Sequence, residues 1–287
     1  MQEKNFVENG KLYLVATPIG NMSDISLRGK NVLENVDFIA AEDTRVSIKL
    51  LSYLGIKKEL VSYYEHNKKE RGAEIIERLI RGESCALVTD AGTPAISDPG
   101  EDLVVLCAQS NIDVISIPGP CAAITALTVS ALPTGKFVFE GFLPVKGKER
   151  RERLEFLAGE TRTMIFYEAP HKISATLSDL YVALGDRRVT ICREITKLNE
   201  ETIRTTLSNA VNLYSADNHP RGEFVIVIEG GVTKEEKIVS DEDIIDAIEN
   251  YISMGKTPSD AIKTVSKEFG LSKNDVYAKY LTYKQKN

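Results

Sequence analysis

With 287 residues, 43% of them hydrophobic and 27% charged, the chain can bury more than one core and has the make-up of a globular protein rather than a disordered or fibrous one. No apolar run reaches the length of a membrane span, and the opening MQEKNFVENG lacks the apolar core of a signal peptide, so a cytoplasmic protein with no membrane role is expected. A net charge of -6 excludes wholesale coating of nucleic acid but leaves room for a local basic patch.

The run Lys11-Leu-Tyr-Leu-Val-Ala-Thr17 is apolar and β-branched, which predicts a buried strand, and Pro18-Ile-Gly-Asn21 cuts it off in a shaped loop. Helical spacing follows over 26–35, then a strand over 36–41 with Glu42-Asp-Thr-Arg45 at its carboxyl end and a helix over 46–54. A short strand at 60–64 ends in Glu65-His-Asn67, ahead of an amphipathic helix over 68–81. The strand at 84–88 opens into Val88-Thr-Asp-Ala-Gly-Thr-Pro-Ala-Ile-Ser-Asp-Pro-Gly100. Gly tolerates positive φ, Pro fixes φ, and Asp or Ser can bond its own backbone, so this long loop is shaped and reads as a small-molecule cradle. A helix over 98–110 and a strand over 112–117 follow, then Pro118-Gly-Pro120 and a small-residue helix over 121–131.

Strand and helix alternate five times, which argues for an open, mostly parallel sheet with helices on both faces. Ligands of such sheets bind outside the carboxyl ends of the strands, where all five shaped or charged loops fall. Neither GxGxxG after the first strand nor GxxxxGK[ST] is present, which disfavours a standard nicotinamide or P-loop enzyme. Cys85, Cys107, Cys121 and Cys192 form no CxxC pair and sit in or beside apolar runs, so free thiols are expected rather than a disulfide framework or a metal site.

The pattern pauses at Leu132-Pro-Thr-Gly-Lys136, and a domain boundary is placed there, with a first α/β domain over 1–135. A second α/β domain with a mixed sheet is predicted over 136–231: strands at 137–142, 163–168, 188–193, 201–207 and 222–229, and helices at 146–157, 172–184 and 207–214, with Pro170 starting the helix at 172. A cleft between the two sheets would hold a second substrate. Residues 232–287 read as a helical, helix-turn-helix-like extension, with seven lysines over 256–286 against Asp260, Glu268 and Asp275; an RNA contact, a packing appendage and a partner-binding hairpin are all open there.

Five motifs, Leu14-Val-Ala-Thr-Pro-Ile-Gly-Asn21, Ala40-Ala-Glu-Asp-Thr-Arg45, Thr89-Asp-Ala-Gly-Thr-Pro-Ala-Ile-Ser-Asp-Pro-Gly100, Pro118-Gly-Pro-Cys-Ala-Ala123 and Phe166-Tyr-Glu-Ala-Pro-His171, resemble in order and spacing the ribosomal RNA small subunit methyltransferase I family. The resemblance covers about residues 11–231 and implies two α/β domains of the tetrapyrrole methylase type with a cleft between them. It implies a cytoplasmic homodimer that uses S-adenosylmethionine, with no metal, to methylate the ribose 2′-oxygen of a cytidine in the decoding centre of 16S rRNA in the small ribosomal subunit. It also implies donor contacts from Pro18, Gly92, Thr93, Pro94, Ile96, Cys121, Ala122, Tyr167 and Gly222. Phe166 is a further donor candidate beside Tyr167, although alternation along a strand sends neighbours to opposite faces.

A ribose hydroxyl is a weak acid, so a general base helps. Glu42, Asp43, Glu65 and His66 stand at strand ends and are candidates, His66 being one of only three histidines. Arg45 either contacts a phosphate near the target or pairs with Asp43. His171 reads as a helix-start residue and His219 as loop surface. Lys146, Lys148, Arg150, Arg151 and Arg153, interrupted by two glutamates, form a basic run suited to RNA phosphates. Two other readings stand beside this one: a methyltransferase of the same fold acting on a tetrapyrrole or other small molecule, and a non-catalytic RNA-binding or ribosome-assembly protein.

Overall fold

The computed structural model describes residues 6–215, 220–231 and 240–286. His219 lies outside the described residues. Five short strands, β1 (Leu12–Val15), β2 (Phe38–Ala41), β3 (Glu59–Ser62), β4 (Cys85–Val88) and β5 (Val114–Ile117), form a wholly parallel sheet in the order β3-β2-β4-β1-β5. The strands alternate with α1 (Leu27–Asn35), α2 (Thr44–Leu54), α3 (Lys68–Ile80) and α4 (Gly100–Gln109). The central strands read as unbroken apolar runs because both faces are covered. Leu12, Leu14, Phe38 and Leu87 pack with Ile75 and Leu79 of α3 and Leu103 of α4, while Tyr13, Val15, Ile39 and Ala86 pack with Val32 and Leu33 of α1 and Leu51 of α2. A short 3-10 turn over Met22–Asp24, capped by the Asn21 side chain, extends the loop after β1 and was not expected from the sequence.

The next helix, α5 (Ala122–Val129), leaves this sheet and packs on a second one. Strands β6 (Phe137–Gly141), β7 (Thr163–Glu168), β8 (Arg188–Arg193), β9 (Glu201–Thr206) and β10 (Phe224–Ile228) run in the order β6-β7-β10-β8-β9. β6 is parallel to β7 and the remaining pairs are antiparallel, so the sheet is mixed. Ala123, Ala126 and Leu127 of α5 meet Ile165, Cys192, Val225 and Val227 on one face. Small side chains there allow the helix close to the strands. On the other face Phe166, Ile191 and Ile226 pack against α6 (Gly147–Ala158), α7 (Ile173–Leu184) and α8 (Leu207–Leu213) through Leu157, Leu177, Leu180 and Leu207.

The last carbonyls of a helix have no intrahelical donor, and here the second sheet supplies them. Arg204 donates to Val129 O from Nε at 3.0 Å and Nη2 at 2.6 Å, and the Thr190 hydroxyl donates to Ser130 O at 2.7 Å. Both sheets accordingly belong to one compact unit, Met1–Gly231. Pro170, read from the sequence as a helix start, stands in the turn ahead of α7, which begins only at Ile173.

The second compact unit, Val232–Asn287, contains α9 (Asp241–Ser253), α10 (Pro258–Glu268) and α11 (Lys273–Lys286). Ile244, Ile248, Ile262, Val265, Val276 and Tyr280 make a core of their own. Each helix opens on a hydroxyl cap followed three residues later by an aspartate: Ser240 with Asp243, Thr257 with Asp260, and Ser272 with Asp275. Among the described residues no helix is long and apolar enough to cross a membrane.

Phe166 is fully buried at the centre of the second sheet. Phe166→Ala is expected to lower unfolding stability by about 3–5 kcal/mol through lost burial and an unfilled cavity, measured by chemical denaturation.

Candidate functional site

The loops at the carboxyl edge of the parallel sheet, the start of α5 and the facing strands of the second sheet enclose a cavity of about 530 Å³. That is the size of a small-molecule site. Its walls include Gly92, Thr93 and Ile96 from the long loop, Cys121 and Ala122 from the start of α5, and Tyr167 from β7. The loops are locked to one another by backbone. Thr17 and Gly92 exchange N–H···O bonds at 2.9 and 3.0 Å, and the Thr93 hydroxyl donates to Pro120 O at 2.9 Å. Gly92 takes φ +87°, a conformation that a side chain would strain.

Asp98 organises the rest of the loop. Its carboxylate accepts from Ala95 N at 3.0 Å, Ile96 N at 3.1 Å and Gly100 N at 2.8 Å. Ala95 and Ser97 are left-handed at φ 65° and 64°, conformations that cost free energy for residues with a Cβ and persist only when their surroundings impose them. Three N–H bonds to one carboxylate are the imposing contact. Pro94 is buried within the loop.

One end of the cavity is acidic. The Thr89 hydroxyl donates to Glu42 Oε2 at 2.6 Å, and Asp90 N–H reaches the same oxygen at 3.4 Å. Asp90 Oδ1 accepts from Asp43 N at 3.1 Å. Desolvation at the wall, and then the Glu42 charge, push the Asp90 carboxyl up from its ordinary value. Asp43 is in the opposite condition. It accepts from Arg45 Nε and Nη2 and caps α2 through Arg45 N at 2.8 Å, which holds its carboxyl down at about 2. Arg45 is paired with Asp43 and remains exposed.

The second sheet contributes an aromatic wall. Tyr167 packs edge-on to Phe139 at 5.0 Å and Phe142 at 5.7 Å between ring centres, and its hydroxyl accepts from Ala123 N at 3.1 Å in the first turn of α5. Burial pushes the phenol up to about 12. Beside it the buried Glu168 accepts from Ala169 N at 2.8 Å and from the Thr176 hydroxyl at 2.5 Å. Thr176 in turn accepts from Arg150 Nη2 at 3.1 Å. Gly222, at φ +99°, lies where a Cβ would overlap the Glu194 side chain; Glu194 accepts from Glu223 N and pairs with Lys197. Gly222 thus sets Glu223, its neighbour, into the cavity wall.

Of the residues singled out by sequence, the cavity brings together Glu42, Gly92, Thr93, Ile96, Cys121, Ala122 and Tyr167. Pro18 and Gly222 stand one residue from wall residues Ile19 and Glu223. Phe166 faces the helix-covered core on the other side of its sheet. His66 is exposed on the turn after β3, edge-on to Tyr64, and Glu65 pairs with Lys68; neither lines the cavity. His171 is exposed in the turn before α7.

The basic run divides by helical phase. Arg150 turns inward to Asp179 at 2.8 Å, Pro144 O at 2.8 Å and Thr176, while Arg153, partly exposed, is committed to an ion pair with Glu140. Lys146, Lys148 and Arg151 remain exposed. Residues that sequence reasoning did not single out are Asp90, Asp98, Phe142, Glu168 and Glu223. Among the described residues no three His, Cys, Asp or Glu side chains converge as metal ligands.

Asp98→Ala is expected to strip three backbone donors of their acceptor. Stability should fall by about 1–3 kcal/mol, and amide exchange should accelerate at Ala95, Ile96 and Gly100 ahead of the strands; uniform protection would mean the loop holds itself.

Residues 11–211 match the family model described as Tetrapyrrole (Corrin/Porphyrin) Methylases. The chain is 47% identical over 276 residues to the ribosomal RNA small subunit methyltransferase I of Halalkalibacterium halodurans, covering 95% of each chain. To the protein of the same name from Synechocystis it is 46% identical over 269 residues, covering 93% of this chain and 96% of that one. Among solved structures, the Thermus thermophilus uroporphyrin-III C-methyltransferase complexed with S-adenosylhomocysteine superposes with a TM-score of 0.55 at 15% identity, over 76% of this chain and 96% of that one, a likeness of fold. The chain belongs to the ribosomal RNA small subunit methyltransferase I family, within the tetrapyrrole methylases.

Proposed function

We propose that this methyltransferase takes its methyl group from S-adenosylmethionine and places it on the ribose 2′-oxygen of a cytidine in the decoding centre of 16S rRNA, acting on the small ribosomal subunit in the cytoplasm as a homodimer. The observation that carries the reading is the convergence of Gly92-Thr93, Cys121-Ala122 and Tyr167 on one cavity. These residues come from three separate motifs, and the relatives named above are ribosomal RNA methyltransferases.

The cavity fits the donor chemically. Ile96, Ala122, Val225 and Tyr167 offer apolar and aromatic surface for an adenine and a sulfonium. Pro18, Pro94 and Gly222 support this surface through backbone shape, and Phe166 from the core behind it. When bound, the donor supplies an electrophilic methyl carbon on sulfur. The chain's task is to hold that carbon in line with the attacking oxygen and to exclude water, which is chiefly positioning. Glu42 in the wall, Asp43 and Arg45 as the pair that starts α2, and His66 on the exposed turn outside the cavity are assigned to the acceptor side. None of these steps calls for a metal.

Lys146, Lys148 and Arg151 are the exposed cations proposed to meet RNA phosphates, with Arg150 and Arg153 fixing the helix that presents them. This outward charge favours a polyanion over a tetrapyrrole as acceptor.

S-adenosylmethionine or its product should raise the melting temperature, and tritium from labelled donor should enter small ribosomal subunits lacking the modification, on a ribose oxygen. Label confined to a base, or no thermal shift, would overturn the reading. Replacing Lys148 and Arg151 together by alanine should weaken subunit binding and reduce the slope of log affinity against log salt by up to about 2, while donor affinity stays unchanged. An unaltered slope would remove that helix from the RNA surface.

A further inference from the structure

Methylation of a ribose hydroxyl must dispose of the hydroxyl proton, and the polar groups near the acid end of the cavity differ in their fitness to take it. Asp43 is chelated by Arg45 and caps a helix, so its proton affinity is suppressed. His66 lies on an exposed turn outside the cavity. Glu42 already accepts the Thr89 hydroxyl. Asp90 stands in the same wall, at the carboxyl end of β4, held through Oδ1 by Asp43 N–H. No donor among the described residues reaches its Oδ2.

We propose that Asp90 is the catalytic proton acceptor of methyl transfer and that Glu42, beside it, is a positioning residue that tunes it; the proposal rests on the ribose reading above. In the step, a lone pair of the 2′-oxygen forms the C–O bond to the methyl carbon. The C–S bond breaks with its electron pair passing to sulfur, which becomes a neutral thioether. The hydroxyl proton passes to Asp90 Oδ2, so sulfonium, alcohol and carboxylate become thioether, ether and carboxylic acid.

The surroundings of Asp90 suit this role. Its charged neighbours are Glu42 and Asp43, which favour protonation, and Arg45, which opposes it while committed to Asp43. The fixed Oδ1 orients the carboxylate, and the Thr89 hydroxyl keeps the Glu42 charge in place. A base of raised proton affinity is better matched to an alcohol than an ordinary carboxylate. It also has to be ionised to work, so the rate should fall as pH drops through the Asp90 pKa, at a higher pH than an ordinary aspartate would give.

The test is single-turnover methyl transfer from tritiated S-adenosylmethionine to unmodified small ribosomal subunits across a pH series, with donor affinity measured by calorimetry. Asp90→Asn should slow transfer about 100-fold or more and abolish the acid limb, with donor affinity unchanged. Glu42→Gln keeps the hydrogen-bonding shape but removes the charge, and should move the acid limb to lower pH without removing it. If Asp90→Asn proves unstable, Glu42→Gln carries the test alone. Ribose label with an unchanged rate and limb in Asp90→Asn, or an unmoved limb in Glu42→Gln, would overturn the proposal while leaving the ribose reading intact. Base label in the wild-type enzyme would overturn both.

Discussion

The cavity depends first on a single carboxylate. Asp98 gathers the N–H groups of Ala95, Ile96 and Gly100, and in doing so imposes two left-handed residues on a loop that would otherwise relax. Backbone groups within such a loop are satisfied internally rather than by water, which fixes its shape before any ligand arrives. Preorganisation of this kind suits a reaction in which alignment is the main contribution of the protein. The price is backbone strain, offset by charge-assisted bonds and by the exchange of hydrogen bonds between Thr17 and Gly92.

The second constraint is the placement of α5. It begins at the edge of the parallel sheet yet lies against the mixed one, and its last carbonyls are bonded by Arg204 and Thr190 of that sheet. Its first turn is met by the Tyr167 hydroxyl. One helix therefore fixes how the strand ends of the first sheet face the aromatic wall of the second. The chain Arg150–Thr176–Glu168 makes a similar link from the outer helix α6 to the cavity. A basic side chain on the presenting helix is thereby part of the wall's support.

Much of this was legible in the sequence because periodicity and punctuation were unambiguous. Short apolar runs ending in Gly, Pro or acidic residues located the strands of the first sheet and the loops at their carboxyl ends. Element boundaries moved by a few residues where helix caps decide them, as at Thr44, where the Asp43 cap starts α2 earlier than its apolar spacing does. Partnerships across long separations were not legible. Asp90 and Asp98 both read as loop acids, and only the fold shows that both border the cavity, Asp98 committed to three backbone donors and Asp90 to one. Likewise five basic residues in one run look alike until the fold turns Arg150 inward and pairs Arg153 with Glu140. The neighbours Phe166 and Tyr167 show the opposite: alternation alone foretold that one would be core, and the sheet assigns which.

Three of the four cysteines are sealed in apolar layers, and Cys121 is the one that reaches the cavity wall. The protein therefore carries a natural attachment point for a spectroscopic label in the wall of this cavity, with the other thiols shielded by packing. Optical or magnetic probes placed there would sense the cavity's access to solvent, without an engineered residue.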